Sequence, residues 1–167
     1  DSKSRMLIIN NPNNPAGRVY NQKDLRHMYE LCREHGVYLL VDEAYSDFVV
    51  GQPFTSIAEV VPDTDGVLIV NSLSKNMGMS GWRVGYIITH PTLIGPLIKL
   101  NQHLITCAPS ILLYYLARYF DQITDITLPQ VREVVKKRAR VGEMMDQLGL
   151  QRLGGESTFY FFVSIED

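Results

Sequence analysis

The stretch NSLSKNMGMSGWRVGYI, residues 71–87, places Ser72, Ser74 and Lys75 close together and Arg83 eight residues after the lysine. An amine condenses with a carbonyl to give a Schiff base. Hydroxyls and a guanidinium suit a phosphate, the arginine with its planar fork of donors. Most lysines simply lie on the surface. Lys75 differs in position, standing between the short apolar run 67–70 and a loop containing Gly78 and Gly81.

Other polar residues follow apolar runs: Asn14 after 6–10, and Asp42 after 37–41 with Tyr45 close behind. In open α/β sheets ligands gather beyond the carboxyl ends of the strands. One polar residue there is weak evidence, because loops are polar anyway; three strand ends that can converge call for a joint explanation. An aspartate facing a pyridine nitrogen holds it protonated and makes the ring an electron sink. Asn14 and Tyr45 can each hydrogen-bond a ring oxygen. Together these residues describe a site for pyridoxal 5′-phosphate.

The elements that must position them read as follows. Runs 6–10, 37–41 and 67–70 are continuously apolar, as parallel strands covered on both faces are. Asn21 and Asp24 form a capping arrangement before the helical spacing of Leu25, Met28, Leu31 and Cys32, which Gly36 closes. Strand, helix, strand argues a βαβ unit. The loop before 84–89 is too poor in helical pattern for a parallel crossover, so that strand is expected antiparallel. Helical stretches follow at 93–105 and 110–120. Thr127 and Gln130, with Pro129 between, are expected to open a long helix that stops at Gly149. The basic run Lys136, Lys137, Arg138 and Arg140 on it reads as a solvated face. Residues 159–163 read as a last strand.

The 167 residues carry a formal net charge of −2, which makes no electrostatic case for nucleic acid or a membrane surface as partner. No apolar run approaches the roughly 20 residues a membrane helix needs. His27, His35, His90 and His103 lack metal-ligand spacing. Cys32 and Cys107 read as buried thiols, in keeping with a reducing cytosol. The chain opens directly on a strand without a methionine, and reads as an excerpt of a longer protein.

The segments NNPNNPAG, VDEAYSDF and NSLSKNMGMSGWRVGY, in this order, resemble the fold-type I aminotransferases of class I/II. The resemblance implies a three-layer α/β sandwich with a mostly parallel sheet, plus the start of a smaller α+β domain. Residues 1–128 would belong to the large cofactor-binding domain, 129–148 to a connecting helix and 149–167 to the small domain. It implies that Lys75 forms the Schiff base with the cofactor, that Asp42 pairs with the pyridine nitrogen, and that Asn14 and Tyr45 contact the ring oxygen. Ser72, Ser74 and Arg83 would bind phosphate, while Asn71 and Trp82 are left as scaffold. Lys75, Asp42 and Tyr45 are the expected catalytic residues.

The implied reaction moves an amino group between an amino acid and a 2-keto acid, in a cytoplasmic homodimer. The family's remaining phosphate loop, its ring-stacking aromatic and its substrate-carboxylate arginine lie outside this stretch, so the chain alone is expected not to turn over. Carbon–sulfur lyases and amino-acid synthases share the same core. A separate reading takes VDEAY, residues 41–45, as the Mg²⁺-binding strand end of a P-loop ATPase. It leaves Asn14, Lys75 and Arg83 unexplained, and no G-x-x-x-x-G-K-[ST] stretch occurs.

Overall fold

The apolar runs become strands because each is short, rich in branched side chains and bounded by turn formers. In the computed structural model, which describes residues 3–165, β1 (Met6–Asn10), β2 (Tyr38–Asp42), β3 (Val67–Ser72) and β4 (Gly85–Thr89) lie side by side in that order. The first three are parallel, with Asn10 opposite Asp42 and Asp42 opposite Val70. β4 runs antiparallel to β3 and sets Gly85 opposite Ser72. A Cβ on Gly85 would lie 2.6 Å from the carbonyl oxygen of Asn71, so the close approach of β4 at this point needs glycine. The fold is α/β with a mostly parallel sheet.

One face of the sheet is covered by α1 (Gln22–Glu34) and the short α2 (Ile57–Val60). Asn21 caps α1 by accepting from the Asp24 N–H at 2.9 Å, and Gly36, at φ +63°, ends it. Leu25, Tyr29 and Cys32 of α1 pack with Leu39, Val41, Ile57, Val60, Val67 and Ile69. Each fully buried aliphatic side chain there contributes about 1.5–3 kcal/mol. Tyr29, rather than Leu31, completes the inward stripe. On the opposite face Ile8 is 65% exposed and Tyr38 42%, whereas Leu68 of β3 is buried, so among the described residues that face is covered at β3 and open at β1.

Between β3 and β4 stand a single turn of helix, α3 (Leu73–Asn76), and a 3-10 turn (Ser80–Trp82), where sequence pattern alone suggested a loop. α4 (Pro91–Ile105) buries none of its residues. α5 (Ser110–Gln147) overturns the expected helix start at Thr127: it runs through Pro129 and departs from helical angles at Tyr119. An interior proline costs about 3 kcal/mol. The stripe Leu116, Ile123, Val131, buried on both sides of it, holds the helix together. Within the basic run, Lys136 is exposed and pairs with Glu133 at 2.6 Å, but Arg138 is buried, its guanidinium 4.8 Å from the Phe161 ring centroid.

The expected last strand is not one. Residues 149–165 carry an isolated antiparallel bridge between Arg152 and Val163; the segment otherwise ties to loops, the Glu156 carbonyl accepting from the Val50 N–H at 2.7 Å and the Glu156 N–H donating to the Gly17 carbonyl at 2.8 Å, and no described strand lies beside 159–163 to extend a ladder. Cys32 is buried, and burial pushes its thiol upward, whereas Cys107 is exposed, contrary to expectation; both are free thiols.

Candidate active site

Asp42 is the last residue of β2, half-buried, and its Oδ1 accepts from the Ala44 N–H at 3.0 Å. That bond fixes the carboxylate at the strand end, where the chain turns toward Tyr45. Asn14 lies in the loop after β1, shaped by its neighbours: Asn13 donates to Asn10 Oδ1 at 2.6 Å, and Asn10 Nδ2 donates to the carbonyl of Asn14 at 3.2 Å. The amide of Asn14 then reaches the phenolic oxygen of Tyr45 at 3.2 Å.

Tyr45 is buried, with its ring 5.9 Å from Phe48, 5.7 Å from Phe159 and 6.2 Å from Tyr160 between centroids. Burial pushes its phenol well above the usual tyrosine range, and a hydrogen bond to Tyr160 and the charge of Asp42 push the same way. Asn14, Asp42 and Tyr45 thus converge at the carboxyl ends of β1 and β2.

Ser72 ends β3 and caps α3, its hydroxyl accepting from the Ser74 N–H at 3.2 Å. Lys75 follows in the last turn of α3, half-buried. It lines a cavity of about 180 Å³ with Phe48, Met77, Val131 and Phe159, two of which also pack on Tyr45. Arg83 is brought back beside this turn by the backbone, since the carbonyl of Val84 accepts from the Leu73 N–H at 3.2 Å. Its own hydrogen bond goes to the Ser80 carbonyl at 2.9 Å, not to Ser72 or Ser74. Its backbone is left-handed (φ 55°, ψ 43°), a conformation that costs a non-glycine residue roughly 1–2 kcal/mol.

Several neighbours carry no signal in the sequence. Phe159 and Tyr160 reach Tyr45 from more than a hundred residues away. Glu43 is buried; its carboxylate accepts from the Ser56 hydroxyl at 2.8 Å and the Ile57 N–H at 2.9 Å, and burial foremost pushes it upward. That carboxylate anchors α2. No cluster of three or more metal-ligating side chains occurs among the described residues. A larger cleft of about 910 Å³, lined by Arg18, Tyr20, Arg152 and Gly155 among others, contains none of the expected site residues.

Comparison with known proteins gives the family and the fold. The family model for aminotransferase class I and II matches residues 1–167. An aspartate aminotransferase of Thermotoga maritima is 28% identical over 98% of this chain and 42% of its own length. An aromatic-amino-acid aminotransferase of Thermococcus litoralis is 30% identical over 99% of this chain and 43% of its own. The crystal structure of an aromatic aminotransferase from Pyrococcus horikoshii superposes with a TM-score of 0.90 at 28% identity, covering 99% of this chain and 45% of that one. The chain therefore spans less than half the length of these relatives. With its whole length matched, it belongs to the aminotransferase class I and II family.

Proposed function

We propose that the protein carrying this chain transfers an amino group between an amino acid and a 2-keto acid with pyridoxal 5′-phosphate as cofactor. The observation that carries the reading is the convergence of Asn14, Tyr45 and Asp42 at two adjacent strand ends, with the half-buried Lys75 at the third. The donor set fits the cofactor. An amide and a phenol meet at 3.2 Å, suiting a ring oxygen, and a carboxylate next to them suits a protonated ring nitrogen. Ser72, Ser74 and an exposed guanidinium at Arg83 suit a phosphate. When bound, the ring supplies an electron sink for charge left at the amino acid's Cα.

The chain's own residues then have distinct tasks. Lys75 would hold the cofactor covalently, and its amine, when free, would move the proton at the amino acid's Cα. Asp42 would keep the ring nitrogen protonated by its charge. Tyr45 and Asn14 would hold the ring oxygen, and Phe48 and Phe159 would keep water from the wall beside Lys75. We further read residues 1–128 as part of a large cofactor-binding domain, 129–148 as a connector and 149–167 as the start of a small domain. A homodimer and a cytoplasmic location complete the reading, supported by the exposed apolar side chains of α4 and by two free thiols. No helix among the described residues is long and apolar enough to cross a membrane.

The experiment is a cofactor titration of the full-length protein, borohydride reduction and peptide mapping. A pyridoxyl label on Lys75, together with exchange of amino groups between aspartate or an aromatic amino acid and a 2-keto acid, is the expected result. A label elsewhere, or carbon–sulfur cleavage without amino transfer, overturns the reading.

A further inference from the structure

Lys75 and Tyr45 sit on separate segments, and among the described residues no backbone hydrogen bond joins α3 directly to the loop after β2. Their next neighbours do. Asn76, adjacent to Lys75, donates through Nδ2 to Oδ2 of Asp47, two residues after Tyr45, at 2.7 Å. The bond is short and charge-assisted, and it spans a sequence separation of 29. α3 is a helix of four residues and has little stiffness of its own. Asp47 lies in the 3-10 turn (Ser46–Phe48) whose Phe48 is held in the aromatic cluster under Tyr45.

We propose that Asn76 and Asp47 form a positioning pair that fixes the Lys75 turn relative to the Tyr45 loop, and so sets where the lysine amine meets a carbonyl. The inference rests on the aminotransferase reading of Lys75. Neither residue touches the reacting atoms. The pair acts by geometry: the amide ties the last residue of α3 to a segment anchored on the sheet, so the amine is presented from a fixed turn. The amide oxygen of Asn76, Oδ1, is buried without a hydrogen-bond partner, so the side chain is held through its nitrogen at the Asp47 end alone. The two residues border a cavity of about 220 Å³ with Tyr86, Thr124 and Thr127, leaving the turn room to move once the tether is cut.

The test measures how fast added pyridoxal phosphate becomes trapped by borohydride on Lys75 in the full-length protein, beside the thermal melting midpoint of each variant. Asn76→Ala and Asp47→Ala are expected to slow trapping roughly tenfold, because a misplaced reacting group is costly even when the fold survives. Asp47→Asn keeps an acceptor oxygen and is expected to stay within about threefold of the unaltered protein. Asn76→Asp sets two carboxylates face to face and is expected to be slower than Asn76→Ala. Alanine variants that trap at the unaltered rate overturn the pair while leaving Lys75 as the attachment point. Asp47→Asn as slow as Asp47→Ala overturns it too, since charge and not the tether would then act. Slowing that merely follows the melting midpoints assigns the pair to stability and overturns it likewise. No label on Lys75 in the unaltered protein instead removes the aminotransferase reading, and the pair's role with it.

Discussion

The amide of Asn14 donates to the phenolic oxygen of Tyr45 at 3.2 Å, joining the loops that follow β1 and β2. Tyr45→Phe leaves that amide without its acceptor at a cost of about 0.5–1.5 kcal/mol, and should weaken cofactor binding in the full-length protein. The phenol also carries a pH signature. Its folded pKa lies above the ordinary value of 10.0, through burial first, then Tyr160 and Asp42. A raised folded pKa means that the stability it contributes is present below pH 10.0 and lost as pH rises through the folded value. Melting curves from neutral pH upward should show the unaltered protein losing stability above pH 10.0 more steeply than Tyr45→Phe. Parallel loss in both would place the titration elsewhere.

Lys75→Ala should abolish covalent cofactor attachment and nearly all turnover while leaving the fold intact. The side chain is only half-buried, on a helix of four residues, so its truncation removes little packing. Absorbance of the cofactor-loaded protein and a melting curve measure the two effects separately. A variant that still retains a borohydride-stable label shows that another lysine, such as Lys99, is the attachment point.

Arg83 separates strain from charge. Its left-handed backbone suits glycine, so Arg83→Gly should be more stable than Arg83→Ala by about 1 kcal/mol. Both lose the guanidinium and should bind the cofactor's phosphate more weakly by about tenfold or more. Denaturant melts and a cofactor titration resolve the two. Equal stability of the glycine and alanine variants would mean that the backbone relaxes out of the left-handed region.

Asp42→Asn keeps an oxygen able to accept from the Ala44 N–H, so the strand end should hold its shape. What it loses is the charge. Turnover in the full-length protein should fall roughly 10²-fold or more, with the cofactor still bound. Turnover equal to that of the unaltered protein would show that Asp42 does not partner the ring nitrogen.

The parts of the site legible in the sequence were those fixed by local order. Apolar runs placed β1 to β4 within a residue or two, and the polar residues that follow them stand at strand ends as read. The antiparallel turn of β4 followed from what the preceding loop lacks, and Asn21 announced α1. Long-range contacts were not legible. Pro129 and a capping pair spell a helix start, but the buried stripe of α5 overrides them. Residues 159–163 have strand composition, yet composition cannot supply a neighbouring strand. Glu43, beside Asp42, gave no hint that it would be buried against α2, because its partners Ser56 and Ile57 are chosen by tertiary packing. Arg138 sits in a run of charges that reads as solvated, and only the fold shows it under Phe161.

The last prediction concerns the 167-residue chain as an isolated molecule. Ile8 and Tyr38 on the sheet face opposite α1, Ile87 and Ile88 on β4, and Ile98, Leu104 and Ile105 on α4 are all exposed. β1 and β4 are the two edges of the sheet, so each also presents unpaired backbone groups. Apolar faces and open strand edges both favour association. Light scattering after size exclusion should therefore give a mass well above the 19.0 kDa of one chain. Ile88→Lys places a charge on the β4 edge, and should reduce that association because edge charges oppose strand addition. Amino transfer should be absent, since Arg83 and the two serines are the only phosphate ligands read in this chain. A monodisperse 19.0 kDa species that binds pyridoxal phosphate tightly and exchanges amino groups would show that these faces are tolerated in water and that residues 1–167 already hold a complete site.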